Sequence, residues 1–284
     1  MTTLQQVVFE FDMDYAGHPY YVSGNAILHA LAPDLSYEQQ QALRVSHGVF
    51  APAQFGKYPD EHSQAGTRPG MGSSLPPVEC YSDLFLTRDP EQRWLLDSRA
   101  RDALNTPSMK IQGERPIFGR ETRLQKRSSL CVHAYLTAED DSLLPLDEAL
   151  LDGLQFGGAR NYGYGTTRLS DTQTVDLDAL SFDRVREADD HLLVLQTPYV
   201  LDSEHPHADD HTVPWWWDYD GRLRHRQEAI VEQRDRYRLQ TVDHGQVVGY
   251  AGDNPVTTAR NGLERIGTHS KYGFGELQVV PLGS

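Results

Sequence analysis

An α+β fold built from two copies of one strand–helix unit is what this chain predicts, and three observations carry that expectation. Apolar and polar residues alternate at the N-terminus, helical spacing separates the strand-like stretches that follow, and one glycine-rich motif occurs twice, 110 residues apart. Each copy of the motif follows a helical pattern and precedes a strand-like one, so the duplicated piece is a whole supersecondary unit.

The elements follow in order. Leu4 to Phe11 alternates with Val and Phe at the apolar positions, which reads as a half-buried strand by period and propensity. After a turn-rich stretch, Asn25–Leu31 reads as a helix entered behind Ser23 and Gly24 and ended near Pro33. A second helix is predicted over Tyr37–Val45, then a loop over the Gly/Pro/Ser-rich residues Gly48 to Pro77. Strands are predicted over Val78–Leu86 and Leu130–Leu136, a helix over Leu146–Leu154, and an edge strand over Thr166–Leu169. The second half repeats this more loosely, with an apolar strand over His191–Leu201 and a charged helix over Arg222–Arg238. A strand over Gln246–Tyr250, a helix over Thr257–Arg265 and a closing strand over Leu277–Val280 complete it. The Asp-rich residues 170–188 separate the halves, giving expected domains at 1–175 and 186–284.

The chain has 284 residues, ample for one or two cores, and 38% of them are apolar. No apolar run approaches the ~20 residues of a spanning helix, and no basic n-region precedes the first strand, so a cytoplasmic protein with no membrane contact is expected. Cys80 and Cys131 are far apart and lack metal-type spacing, which predicts reduced thiols, no cysteine metal site and no cofactor. Forty-one acidic residues against 26 basic ones leave a net charge of −15, and only four of the 26 are lysines. Such a surface is expected of a salt-accumulating halophile, where acidity answers the solvent and does not argue against a nucleic-acid partner; an ordinary acidic protein is the alternative. Between Arg99 and Arg127 the local charge reverses, with eight basic residues, among them Lys110, Arg115, Arg120, Arg123, Lys126 and Arg127, against three acidic ones. This segment is either an arm that contacts nucleic acid or a solvated face paired with acidic neighbours. Six arginines over Arg222–Arg238 make a weaker patch, since Glu228, Glu232 and Asp235 interleave with them at i,i+4-type spacing.

The repeated motif reads Phe156-Gly157-Gly158-Ala159-Arg160-Asn161-Tyr162-Gly163-Tyr164-Gly165 in the first copy. In the second it reads Ile266-Gly267-Thr268-His269-Ser270-Lys271-Tyr272-Gly273-Phe274-Gly275. Glycines allow positive φ and let a backbone approach a phosphate or base closely, with amide hydrogens as donors. Arg160, Asn161, Ser270 and Lys271 could add phosphate contacts, and Tyr162, Tyr164, Tyr272 and Phe274 could stack on bases. The alternative is that the glycines serve only a tight helix-to-strand turn and the aromatic residues plug the core.

On these loops, and on the glycine-led helix entry YVSGNAILHAL, the chain resembles the RAMP superfamily of CRISPR-associated proteins. That resemblance implies two tandem ferredoxin-like, RRM-type domains, each with a glycine-rich loop before its last strand. It implies CRISPR RNA or its precursor as ligand, with Gly157–Gly158, Arg160–Gly165, Gly267 and His269–Gly275 at the RNA, and the basic segment 99–127 as an inserted arm. It further implies membership of an antiviral effector complex, with other effector subunits as partners.

One branch of that superfamily cuts CRISPR repeats without metal, through a histidine just beyond the first helical region that takes a proton from a ribose 2′-OH. His47 lies about there, with Lys57 and Tyr37 ten residues to either side, and His29 inside the first helix is a second candidate. Whether the chain is an enzyme stays open on sequence, since a buried or capping role for His47 is equally available. His205-Pro206-His207-Ala208-Asp209-Asp210-His211 is similar to a dizinc hydrolase pattern but carries one residue too many, and too few residues follow for the remaining ligands. Of the adjacent Trp215, Trp216 and Trp217, at least one is expected in the core.

Overall fold

A computed structural model describes residues 3–13, 15–18, 21–52, 75, 77–88, 130–139, 141–206, 208–209, 211–232 and 235–282. The first half runs β1 (Thr3–Phe11), β2 (Tyr21–Val22), α1 (Gly24–Leu31), α2 (Tyr37–Ala42), β3 (Leu43–Val45), β4 (Gly48–Pro52), β5 (Leu130–Ala138), α3 (Glu148–Leu151) and β6 (Thr167–Asp176). Its strands form one antiparallel sheet in the order β2-β4-β5-β1-β6, with β3 also on β5. Counting β3 and β4 as one broken strand, this is βαββαβ with spatial order 4-1-3-2, the ferredoxin-like arrangement.

The second half runs α4 (Asp183–Glu187), β7 (His191–Leu195), β8 (Tyr199–Ser203), β9 (Trp217–Asp218), β10 (His225–Glu232), β11 (Asp235–Val242), β12 (Val247–Tyr250), α5 (Pro255–Glu264) and β13 (Leu277–Pro281). Its sheet order, β13-β7-β12-β9, is again 4-1-3-2. The helix that should follow the first strand is replaced by the extended β8, which pairs with β11 in a separate three-stranded sheet with β10. The β10–β11 hairpin is inserted between the second and third strands, the place that residues 53–129 hold in the first half.

β1 is buried on both faces: Val7 and Phe9 enter the core under α1, whereas Leu4 enters a second core shared with Leu193, Leu195, Leu263 and Leu277 of the other half. The strand is therefore central, not half-buried, and Gln5 is tolerated inside because its amide both donates to Leu146 O at 3.1 Å and accepts from Leu146 N at 2.8 Å. α1 begins where Ser23 accepts from Ala26 N–H at 3.2 Å, and it buries Ile27, Leu28 and Leu31, about 1.5–3 kcal/mol each.

Several elements differ from the sequence reading: His191–Leu201 is two strands in different sheets, β7 and β8, β6 runs on to Asp176 through residues expected to separate the halves, and the helix expected over Leu146–Leu154 is confined to Glu148–Leu151. The second helix stops at Ala42 because Leu43 turns extended, and Leu43 and Val45 bury against β5. Gly48–Pro52, expected as loop, is β4. Tyr81–Arg88 is a 3-10 turn in place of a strand: Asp83 accepts from Glu79 and Cys80 N–H, and Tyr81, Leu84 and Phe85 present one face at i, i+3, i+4 spacing to the shared core. Arg222–Arg238 is the β10–β11 hairpin, not a helix. Its charges recur every second residue on one face, and spacing of four satisfies period 2 as well as period 3.6. Ile230, Val231 and Tyr237 then decide for strand.

Among the described residues no helix is long and apolar enough to cross a membrane. Trp217 is core, Trp216 is half-buried and Trp215 is exposed.

Candidate nucleic-acid interface

The two glycine loops have one backbone. Gly157, Ala159, Gly163 and Gly165 take φ of 80°, 56°, 83° and 75°, and their counterparts Gly267, His269, Gly273 and Gly275 take 83°, 60°, 96° and 81°. Both are closed by the same bonds: Phe156 N–H to Gly165 O at 2.9 Å and Ile266 N–H to Gly275 O at 3.0 Å. A Cβ at Gly165 or Gly275 would stand 1.8 or 1.9 Å from the carbonyl oxygen of Phe156 or Ile266, so glycine is obligatory there. The residue before each loop staples it: Gln155 Nε2 donates to Arg160 O at 2.8 Å, and Arg265 Nε donates to Ser270 O at 2.9 Å.

Their surroundings differ. In the first loop Gly158, Arg160, Asn161 and Tyr162 are exposed, Gly157, Gly163 and Tyr164 are half-buried and Gly165 is buried. The Tyr162 ring is 76% exposed. In the second loop Gly267 is exposed, His269, Ser270, Lys271 and Tyr272 are half-buried, and Gly273, Phe274 and Gly275 are buried. That loop is wedged against the other half, for a Cβ at Gly24 would lie 2.5 Å from Tyr272 O and one at Gly273 would lie 2.3 Å from His47 Nδ1.

His47 is thus part of the seam. Its Nδ1 accepts the Gly24 N–H at 3.0 Å, its ring lies between Tyr21 (4.3 Å, stacked) and Phe274 (4.7 Å, edge-on), and it is 1% exposed. His47 thus takes the buried position that the sequence left open beside the role of general base, and its ring is not presented to solvent in this structure. Tyr37 opens α2 and is 75% exposed, remote in character from that buried ring. Lys57, Lys110, Arg115, Arg120, Arg123, Lys126 and Arg127 lie outside the described residues.

The hairpin is clamped to α1 by Asn25, whose side-chain amide donates to Val231 O at 3.0 Å and accepts from Val231 N at 3.1 Å, as a strand partner would. At the base of the hairpin Arg226 pairs with Glu228 at 3.0 Å and Asp243 at 3.7 Å, while His18 stands 3.5 Å from Glu228, so these charges answer one another. At its far end, Glu232 Oε2 takes a hydrogen bond from His205 Nε2 at 2.7 Å, and Oε1 takes one from the Tyr272 hydroxyl at 3.2 Å. His269 Nε2 and Ser203 Oγ are 2.8 Å apart, and the His205 and His269 rings meet edge-on at 5.4 Å.

His29, on α1, is half-buried. Burial lowers its affinity for a proton, the Arg160 guanidinium lowers it further, and Glu232 opposes both. His29 therefore lies within electrostatic reach of the first glycine loop on one side and the hairpin on the other. Burial, then His205, takes His269 down to about 4, so its imidazole is neutral at pH 7. Burial and Glu232 push the Tyr272 phenol up to about 12, so it keeps its proton, and the His205 hydrogen bond holds Glu232 below the usual carboxylate range. The groups linked through His29 and Glu232 thus include neutral imidazoles able to accept a proton, a phenol able to donate one, and the Arg160 guanidinium and Lys271 ammonium able to meet an anion.

Sequence reasoning missed Glu232 and gave His205 no role beyond a zinc-type pattern that its spacing spoke against. The period-2 pattern Arg226, Glu228, Ile230, Glu232 is the signal that would have brought Glu232 to this face. His205 bonds Glu232, and no group of three metal-ligating side chains converges among the described residues.

Comparison with known proteins adds little. No family model matches the chain, and no curated protein does. Among solved structures, a Cas6 product complex aligns over 99% of this chain and 100% of that one, with a TM-score of 0.39 and 12% identity. Cas6 of Thermus thermophilus aligns over 99% of each chain, with a TM-score of 0.36 and 12% identity. The residues themselves must carry the functional argument.

Proposed function

We propose that this chain is a RAMP-type, CRISPR-associated RNA-binding protein, a subunit that holds guide RNA for an antiviral effector complex, with the RNA strand lying over α1 between the first glycine loop and the hairpin. The observation that carries this reading is the exposure of Arg160, Asn161 and Tyr162 on a loop with four positive-φ positions, with the His29 imidazole within electrostatic reach of Arg160. The exposed Arg160 and Asn161 side chains suit phosphate, and Tyr162 offers a stacking face to any base.

A second reading is favoured by one side chain. His29 is half-exposed, depleted of its proton and within reach of Arg160, which is what transesterification asks of a base beside a phosphate. In that reading His29 takes the 2′-OH proton, the 2′-oxygen attacks the adjacent phosphorus, the 5′-oxygen leaves with a proton from an acid of the same group of side chains, and a 2′,3′-cyclic phosphate remains. The deciding experiment incubates end-labelled CRISPR-repeat RNA of the host with wild type, His29→Ala and Arg160→Ala/Tyr162→Ala in EDTA. Binding without cleavage supports the scaffold subunit, cleavage by wild type that is lost in His29→Ala while RNA is still bound supports the nuclease, and binding by none of the proteins removes both.

A further inference from the structure

Glu232 is out of keeping with its neighbourhood. In a chain of net charge −15, this carboxylate ends β10 inside a nest of hydrogen-bond donors: His205 at 2.7 Å, Tyr272 at 3.2 Å, and Lys271 within electrostatic reach. Packing does not ask for it, because Ile230, one position earlier on the same face, is the residue that seals the hairpin core, and the Glu232 side chain is 43% exposed. Nor is it needed to attach the hairpin to α1, which Asn25 does through the Val231 backbone.

Carboxylate and phosphodiester oxygens take the same partners, an imidazole N–H, a phenol O–H and an ammonium group, and a half-exposed carboxylate can yield its place. We propose that His205, Tyr272 and Lys271 form a seat for one backbone phosphate of the RNA, and that Glu232 fills this seat in the free protein as an internal stand-in that the phosphate displaces. This rests on the RNA-binding reading and deepens it. His29 on α1 lies within electrostatic reach of both Arg160 and Glu232, so a strand passing that helix meets both the first loop and the seat. The stand-in makes binding selective: an isolated anion gains little by evicting Glu232, whereas a strand already held on the first loop delivers its phosphate at high local concentration.

Glu232→Gln tests this, since glutamine keeps oxygen and length but loses the competing charge. Two probes are used: host repeat RNA in a filter-binding assay, and inorganic phosphate titrated while the ring nitrogens of His205 and His269 are followed by NMR. The expected result is about five- to tenfold tighter RNA binding in Glu232→Gln. Phosphate should also perturb His205 at lower concentration than in wild type, and both gains should vanish when Tyr272→Phe is added. RNA binding that depends on Arg160 yet is unchanged or weakened by Glu232→Gln would overturn the seat and leave the RNA reading standing. Phosphate perturbing His205 more readily in Glu232→Gln, with no RNA bound by either protein, would keep the seat and overturn the RNA reading. If Glu232→Gln melts far below wild type, Glu232→Asp is compared instead; a shorter carboxylate withdraws from the donors, so tighter phosphate binding supports the seat and unchanged binding overturns it.

Discussion

Replacing Gly273 and Gly163 by alanine, one at a time, separates the two jobs of a single loop geometry. The positions correspond in the repeat, at φ of 96° and 83°, and each alanine incurs about 1–2 kcal/mol for a left-handed backbone. There the likeness ends. A Cβ at Gly163 meets nothing within 4 Å, whereas one at Gly273 would stand 2.3 Å from His47 Nδ1 and 2.5 Å from the His47 backbone nitrogen. His47 cannot retreat, being held between Tyr21 and Phe274, so overpacking adds about 1–3 kcal/mol. Gly163→Ala is therefore expected to lose about 1–2 kcal/mol and Gly273→Ala roughly 2–5 kcal/mol. The assay is urea unfolding followed by tryptophan fluorescence, with a single transition expected because the halves share one core through Leu4, Tyr135, Leu193 and Leu277. Equal losses at the two glycines, or a larger loss at Gly163, would refute the argument that the second loop is wedged between the halves and the first is not.

Other outcomes follow from the same geometry. His47→Ala should cost roughly 3 kcal/mol in urea unfolding, by removing a buried ring and orphaning the Gly24 N–H, while RNA binding by the protein that stays folded is unchanged. Arg160→Ala/Tyr162→Ala should do the reverse, weakening RNA affinity about tenfold or more while stability stays within ~0.5 kcal/mol, as filter binding and thermal melts would show. Acidification should destabilise the fold. His269 binds its proton near 4 when folded against 6.5 ordinarily, so between those values the unfolded chain takes up more protons and stability falls with pH. Burial lowers His18 in the same direction, and the depressed Glu232 adds a contribution lost as pH falls through its folded value. Urea midpoints measured from pH 7 to 4.5 should show a shallower decline in His269→Gln.

Much of the fold was legible because its signals are local. Alternation over Leu4–Phe11, the Ser23 cap before α1 and the twice-written glycine motif each report on backbone a few residues long, and each formed as expected. The hairpin was not legible from charge spacing, because residues four apart share a face in a strand as well as in a helix. His47 stayed open between two roles for a different reason: position after the first helix says nothing of burial, and part of its enclosure comes from Phe274 and Gly273, more than 220 residues away. The members of the linked group were partly named, Tyr272, His269 and Lys271 through the loop and His29 through its helix. Glu232 and His205 join them only through the β10–β11 pairing and the β8 connection.

The duplication explains why identical loops carry unequal duties. The second loop is covered because the first half keeps the helix after its first strand, and Gly24 at the start of α1 allows the Tyr272 carbonyl to approach where any Cβ would collide. The second half has exchanged that helix for β8, so among the described residues no counterpart of α1 covers the first loop, which rests on Ala16 through Gly157 and Gly158 and leaves Arg160, Asn161 and Tyr162 exposed. Loss of one helix thus leaves one of two equivalent structural turns exposed where the other is covered. The exchange has a second effect: β8 carries Ser203 and leads to His205, and it pairs with the hairpin that brings Glu232. The substitution that leaves the first loop uncovered is thus the one that assembles the imidazole cluster.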